Sequence, residues 1–332
     1  MYKSHSKPNL AFYFLLLVLV ACAARPTQIV VVYTSVDQPY AEPIFKAFEQ
    51  QSGIRVLAVY DTEAAKTTGL VSRLMAERVK PQADVFWSSE IAQTLWLQGQ
   101  GLLAAYQSPK AADLPAGFRD PQGYWTGLGY RARVIIVNTE RVSPSDYPEK
   151  LTDLLDPKWG PGEVGLANPL FGTSATHAAA LYAAWGSQPA LDFFQQLKDR
   201  GVRIVDGNSV VRDMVANGDL KLGLTDTDDA NTAIQAGKPV VMIFPDQAGM
   251  GTLAIPNTVA LVAGGPNRAA GQALVDYLLS SAVETQLKQV GFLYGSLRTQ
   301  AAQGPVVMKV DWAAVAEQVE PAKRDLQGLF LR

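Results

Sequence analysis

Three carboxylates, Asp226, Asp228 and Asp229, fall within four positions, directly after the apolar alternation of Leu220, Leu222 and Leu224. Alternation that stops in a polar cluster predicts a strand delivering its carboxyl end to a cleft, where open α/β sheets hold ligands. The same residues also suit the first turn of a helix, where the macrodipole favours acids with no ligand at all. A second candidate is Gly172-Thr173-Ser174, opening an alanine-rich helix. Free N–H groups, two hydroxyls and a positive dipole end make that an anion site; the alternative is plain helix capping. Polar groups also follow three predicted strands: Ser35 with Asp37, Glu63 with Lys66, and Ser88, Ser89 and Glu90. Asn208 lies in a further helix start, Asp206-Gly207-Asn208-Ser209. Asp37, Glu90, Asp226 and Asp228 are hard oxygen donors and would suit a metal ion.

The elements that must position these groups alternate. Ile29–Tyr33, Ile54–Tyr60 and Ala83–Trp87 read as strands, with helical patterns over Pro39–Ser52, Leu70–Val79 and Ile91–Gln100. That order predicts a parallel sheet with right-handed crossovers and one polar rim. Gly127–Asn138 is a strand long enough to leave one domain and enter the next. Arg131 and Arg133 share one of its faces, either to reach a ligand or to cover a solvent side. Val164–Ala167, Val202–Val205 and Val240–Phe244 are further strands, and Thr252–Val262 reads as paired extended segments forming a second crossing. Arg268–Leu279, Ala282–Val290 and Trp312–Val319 are helical, the last in a tail expected to cross the surface. Trp87, Tyr130 and Phe171 are candidates to line a cleft.

The chain has 332 residues, enough for two domains, with 48% hydrophobic and 18% charged residues and a net charge of −2. No basic stripe is present, so nucleic acid is not an expected partner. Residues 1–21 resemble a signal peptide: Lys3 and Lys7 precede an apolar run, Leu10–Ala21, that is short for a membrane span. Leu19-Val20-Ala21-Cys22 resembles the lipobox of a bacterial lipoprotein, and Cys22 is the only cysteine. The expectation is lipidation at Cys22, a tether over 22–28, and a body anchored at the extracytoplasmic face; an ordinary secretory peptide and a soluble periplasmic body are the alternative.

Val32-Tyr33-Thr34-Ser35, Phe48-Glu49-Gln50-Gln51-Ser52-Gly53-Ile54-Arg55-Val56, Ala83–Trp87, Gly129–Thr139, Asp156-Pro157-Lys158-Trp159 and Ile255–Leu261 resemble, in order, the ferric-ion-type (family 1) solute-binding proteins of bacterial ABC importers. The resemblance implies the type II periplasmic-binding-protein fold: two α/β lobes, two crossing segments and a ligand cleft between them. Lobe 1 would comprise 29–130 and 246–300, lobe 2 would comprise 131–245, and 301–332 would form a helical tail. It also implies a monomer serving a permease and an ATPase, with no cofactor and no enzymatic activity. In the family's iron-binding members, adjacent tyrosines follow the strand that here ends near Leu224, where this chain has Asp228-Asp229; an iron-binding histidine looks replaced by Asp37. The hydroxyls of Thr173 and Ser174, with Gly172, would hold an anion, and Asn208 would add a polar contact. The expected solute is a small anion or zwitterion: a phosphonate or phosphate ester on that helix start, with an amine on Asp37, Asp226 or Asp228. Ser35, Glu63, Ser89 and Glu90 complete the candidate site, and a metal bridged by an anion is the alternative. An exported enzyme is the competing class, but no Gly-x-Ser-x-Gly or His-Glu-x-x-His motif occurs.

Overall fold

The structure, a computed structural model, describes residues 1–2, 28–61, 68–299 and 304–331. Cys22, most of the signal segment and tether, and Glu63 lie outside the described residues. The first half runs β1 (Ile29–Thr34), α1 (Gln38–Ser52), β2 (Arg55–Tyr60), α2 (Thr68–Ala76), β3 (Val85–Ser88), α3 (Ala92–Gly99) and the short β4 (Leu103–Ala104). Then comes β5 (Thr126–Asn138), followed by β6 (Val164–Ala167), α4 (Gly172–Trp185), α5 (Ser187–Asp199), β7 (Arg203–Val205), α6 (Asn208–Ala216), β8 (Leu222–Asp226), α7 (Thr227–Gln235) and β9 (Val240–Ile243). The chain closes with β10 (Ala254–Val262), α8 (Arg268–Leu278), α9 (Ser281–Gln289) and α10 (Trp312–Phe330).

One continuous ladder runs β2-β1-β3-β10-β5-β8-β6-β7, with β4 beside β10 and β9 beside β5. The parallel pairs β1–β2, β1–β3, β6–β8 and β6–β7 come from helical crossovers, as the alternating pattern requires. The pivotal strand is β5. Its Thr126–Ala132 stretch pairs antiparallel with β10, and its Arg133–Val137 stretch pairs with β8. The strand therefore changes neighbours between Ala132 and Arg133, at the seam of two half-sheets. Apolar clusters cover both faces of each half, which is why its strands read as continuous hydrophobic runs.

Two details differ from the sequence expectation. Thr252–Val262 is not a pair of extended segments but a single strand, β10, preceded by an isolated bridge at Thr252. The tail helix continues through Pro321 and does not merely lie on the surface. Its Trp312, Val315 and Val319 join the core beside β3 and α3, whereas Ala322, Leu326 and Leu329 join the core beside β6 and α5.

Close backbone approach fixes one glycine in β8. A Cβ on Gly223 would stand 2.4 Å from Val211 Cγ1 and 2.9 Å from the Gly165 carbonyl oxygen. The side chain can shift; the neighbouring strand's backbone cannot. Gly223→Ala is expected to cost about 1–3 kcal/mol by overpacking, read as a lower urea midpoint with an unchanged slope.

Candidate functional site

A cavity of about 430 Å³ lies at the seam. Apart from Arg131 on β5 and groups within α6 and α7, its walls are strand ends and the helix starts that follow them. Asp37, Pro39 and Tyr40 come from the β1–α1 junction and Ser89 from the β3–α3 junction. Asn168, Phe171 and Gly172–Ser174 come from β6–α4, Asp206–Ser209 from β7–α6, and Asp226, Asp228 and Asp229 from β8–α7. Both readings of the acidic stretch hold at once: Asp226 ends β8 and is the N-cap of α7, whose first turn carries Asp228 and Asp229.

Arg133 organises the wall built from β8 and the starts of α4 and α6. It is fully buried, and its Nη1 donates to Asp226 Oδ1 at 2.6 Å, Asn208 Oδ1 at 3.0 Å and Thr173 Oγ1 at 3.3 Å, while Nη2 reaches Ser174 Oγ at 3.3 Å. Thr173 in turn donates its hydroxyl to Asp226 Oδ2 at 2.6 Å and accepts from Asn208 Nδ2 at 2.9 Å. Burial opposes ionisation of Asp226, but Arg133 and Arg131 hold its carboxyl below the ordinary range. The Thr173 hydroxyl is thus committed inside the protein and is not available to an anion as expected. What α4 offers instead is backbone: it has no side-chain cap, and Gly172 opens it at φ 54°, a left-handed conformation that suits glycine. Its first residues, Gly172, Thr173 and Ser174, line the cavity.

Arg131 joins the two halves. Its Nη1 lies 3.0 Å from Asp228 Oδ2 and 3.3 Å from Asp226 Oδ2, its Nη2 donates to the Ser89 carbonyl at 2.7 Å, and its guanidinium sits 5.3 Å from the Phe292 ring centre. Burial alone would disfavour its charge; the two carboxylates reverse that and raise its pKa. Arg212 brings a second guanidinium to the cavity wall, 3.2 Å from Asp229 and 2.8 Å from Asp213. The alternative that Arg131 and Arg133 cover only the solvent side of their strand is corrected, since both are buried.

Of the expected site residues, Asp37, Ser89, Gly172, Thr173, Ser174, Asn208, Asp226 and Asp228 line the cavity. Ser35 does not: it is buried behind Ser89, accepting from the Ser89 amide at 2.9 Å. Glu90 does not either. Its carboxylate accepts from the amides of Ala92 at 2.6 Å and Gln93 at 3.2 Å and from Thr176 Oγ1 at 2.5 Å. The expected metal set of Asp37, Glu90, Asp226 and Asp228 is therefore not assembled. Among the described residues, the oxygens close enough to share an ion, within 4.8 Å, belong to Asp226, Asp228 and Asp229. Phe171 lines the cavity, whereas Trp87 packs against Phe45 and Tyr130 against Tyr294. Sequence reasoning missed Tyr40, Thr176 and Arg212; the period-two arginines on a strand flanked by apolar residues were the available signal for a buried cationic pair.

Residues 80–315 match the bacterial extracellular solute-binding proteins. The chain belongs to that family. The iron uptake protein A1 of Synechocystis sp. is 26% identical over 261 residues, 76% of this chain and 71% of the relative. A Salmonella typhimurium relative named "Putative 2-aminoethylphosphonate-binding periplasmic protein" is 26% identical over 276 residues, 77% of this chain and 74% of the relative. Iron-bound HitA from Pseudomonas aeruginosa has the same fold, with a TM-score of 0.80 at 23% identity over 91% of this chain and 99% of that one. The fold is thus the type II periplasmic-binding-protein fold, and family members bind solutes rather than convert them.

Two measurements probe its electrostatics. Arg133→Met leaves Asp226 buried beside a lost partner and is expected to cost about 3–5 kcal/mol, with much of the loss recovered in Arg133→Met/Asp226→Leu; denaturant titration of both variants reads this. Burial pushes the Glu90 carboxyl from 4.5 up to about 7, against the hydrogen bonds it accepts. Between those pH values the folded state keeps a proton that the unfolded state has lost, so this group's contribution to stability falls as pH rises. Glu90→Gln is accordingly expected to gain on the parent from pH 4.5 to about 7, by at most about 1.4 kcal/mol per pH unit.

Proposed function

We propose that this protein is the solute-binding component of an ABC-type importer and that it captures a small zwitterion, with an aminoalkylphosphonate the best fit. One observation carries the reading: the cavity joins an uncapped helix start at Gly172–Ser174 to a wall rich in carboxylates. Asp37, Asp206, Asp226, Asp228 and Asp229 line it, against Arg131 and Arg212, with Arg133 directly behind. Several helix starts, each worth about half a positive charge, offset the remaining negative charge. A phosphonate on the α4 amides and an ammonium toward the Asp37 and Asp229 side leave that balance undisturbed. A doubly charged phosphate ester without an amine does not.

Residues 29–130 and 246–300 form one lobe in this proposal and 131–245 the other, with 301–332 as the C-terminal helical segment. Closure of the lobes around the solute is the form a permease recognises. Lipidation at Cys22 keeps the monomeric body beside the membrane on its extracytoplasmic face.

Ferric iron is the second reading. It is favoured by the iron-related names among the relatives and by the Asp226, Asp228 and Asp229 oxygens within 4.8 Å of one another. Against it stand the guanidiniums of Arg133, 2.6 Å from Asp226, and Arg131, 3.0 Å from Asp228, which occupy those carboxylates with positive charge. Calorimetry decides between them. 2-Aminoethylphosphonate is expected to bind, and Gly172→Ala to weaken it at least about tenfold by straining the cradle. Binding of ferric citrate but of no phosphonate would replace this reading with the second.

A further inference from the structure

We propose that Glu90 is a closure latch: its carboxylate, carried by the lobe containing β1 to β3, accepts the Thr176 hydroxyl of the opposite lobe and holds the clamshell shut without touching the solute. The inference uses the lobe division proposed above and is independent of which solute binds.

The geometry of the pair supports that role. Thr176 lies on α4, one turn beyond the Gly172–Ser174 cradle, and its Oγ1 is 2.5 Å from Glu90 Oε2. Both side chains are 0% exposed, and neither lines the cavity. Glu90 is rigidly mounted. The first turn of α3 donates the Ala92 and Gln93 amides to its carboxylate, and Thr258 of β10 donates to its carbonyl at 3.3 Å while also bonding Thr94. The carboxylate is therefore capped by its own helix whether or not Thr176 is present; the threonine contact is the part that depends on the opposite lobe. An apolar seam runs beside it, with Ala179 and Ala180 of α4 packed in one cluster with Ile91, Ala92 and Leu97. A buried hydrogen bond sealed by apolar packing is stronger than its exposed counterpart. When the lobes part, water replaces Thr176 and this advantage is lost. Because the latch sits behind the cradle on the same helix, it couples the orientation of α4 to closure. A solute held by both lobes then binds with an affinity scaled by the closed fraction.

Small-angle scattering of the purified protein with no solute added tests the latch directly. Thr176→Val, which keeps the shape and removes the hydroxyl, is expected to enlarge the radius of gyration relative to the parent. Thr176→Ser is expected to restore it. Glu90→Asp keeps the carboxyl group but shortens the reach, and is expected to open the molecule as Thr176→Val does; it serves as the second variant should Thr176→Val unfold, as checked by circular dichroism. With 2-aminoethylphosphonate as probe, Thr176→Val is expected to raise Kd about tenfold, mainly through faster dissociation. Parent-like scattering from both Thr176→Val and Glu90→Asp, or no recovery in Thr176→Ser, overturns the latch. If the probe binds neither parent nor variant, the zwitterion reading fails while the scattering result still decides this one.

Discussion

The buried pair of Arg133 and Asp226 is the interaction on which the site depends. A fully buried guanidinium is costly unless most of its donors are used, and here Nη1 and Nη2 reach four residues on three separate elements, with Nε left over. Asp226 ends β8, Asn208 and Thr173 open α6 and α4, and all are tied to one strand residue at the point where β5 changes partners. The pair thereby sets the spacing of three helix starts around one cavity. Its cost is desolvation; its return is a wall whose shape does not wait for a ligand.

Arg131, two residues earlier on the same strand, does a different job. It faces acids of one half and a carbonyl of the other, and stacks on Phe292. One strand thus carries a cation that fixes the interior of one half and another that spans the seam. Glu90 and Thr176 add a contact across that seam at greater depth. These contacts place buried hydrogen bonds where the two halves meet, while the cavity wall combines aspartates with Arg131, Arg212 and the first residues of α4 and α6. Rigid framing and adaptable recognition are separated along the chain by only a few residues.

Much of this was legible in the chain before any coordinates. The strand–helix alternation from Ile29 to Gln100 gave parallel pairs, and the thirteen-residue β5 did leave one half-sheet for the other. Asp37, Ser89, Asn208 and Asp226, each just after a strand, reached one cavity, because crossovers of one hand put the strands' carboxyl ends on the same side. Partnership between those polar groups was not legible. Asp226 reads as a ligand when its arginine lies 93 residues away, and Glu90 reads as a metal donor when its threonine lies 86 residues away. A carboxylate that binds solute and one that neutralises a neighbour have the same local signature; only the fold assigns the counter-ion. The tail was misjudged for a related reason. A proline at 321 suggests an ending, yet the apolar stripe continues to Leu329 because two cores on either side of the seam bury it.

That last helix has a consequence for how the molecule is made. Trp312 through Leu329 fill a furrow that touches α3, α4 and α5, so earlier segments have an open apolar groove until the final residues arrive. While a ribosome still conceals that stretch, the rest of the polypeptide lacks its closing piece and is poorly packed. Completion of the body is therefore tied to the emergence of α10, whose apolar stripe closes both cores at once.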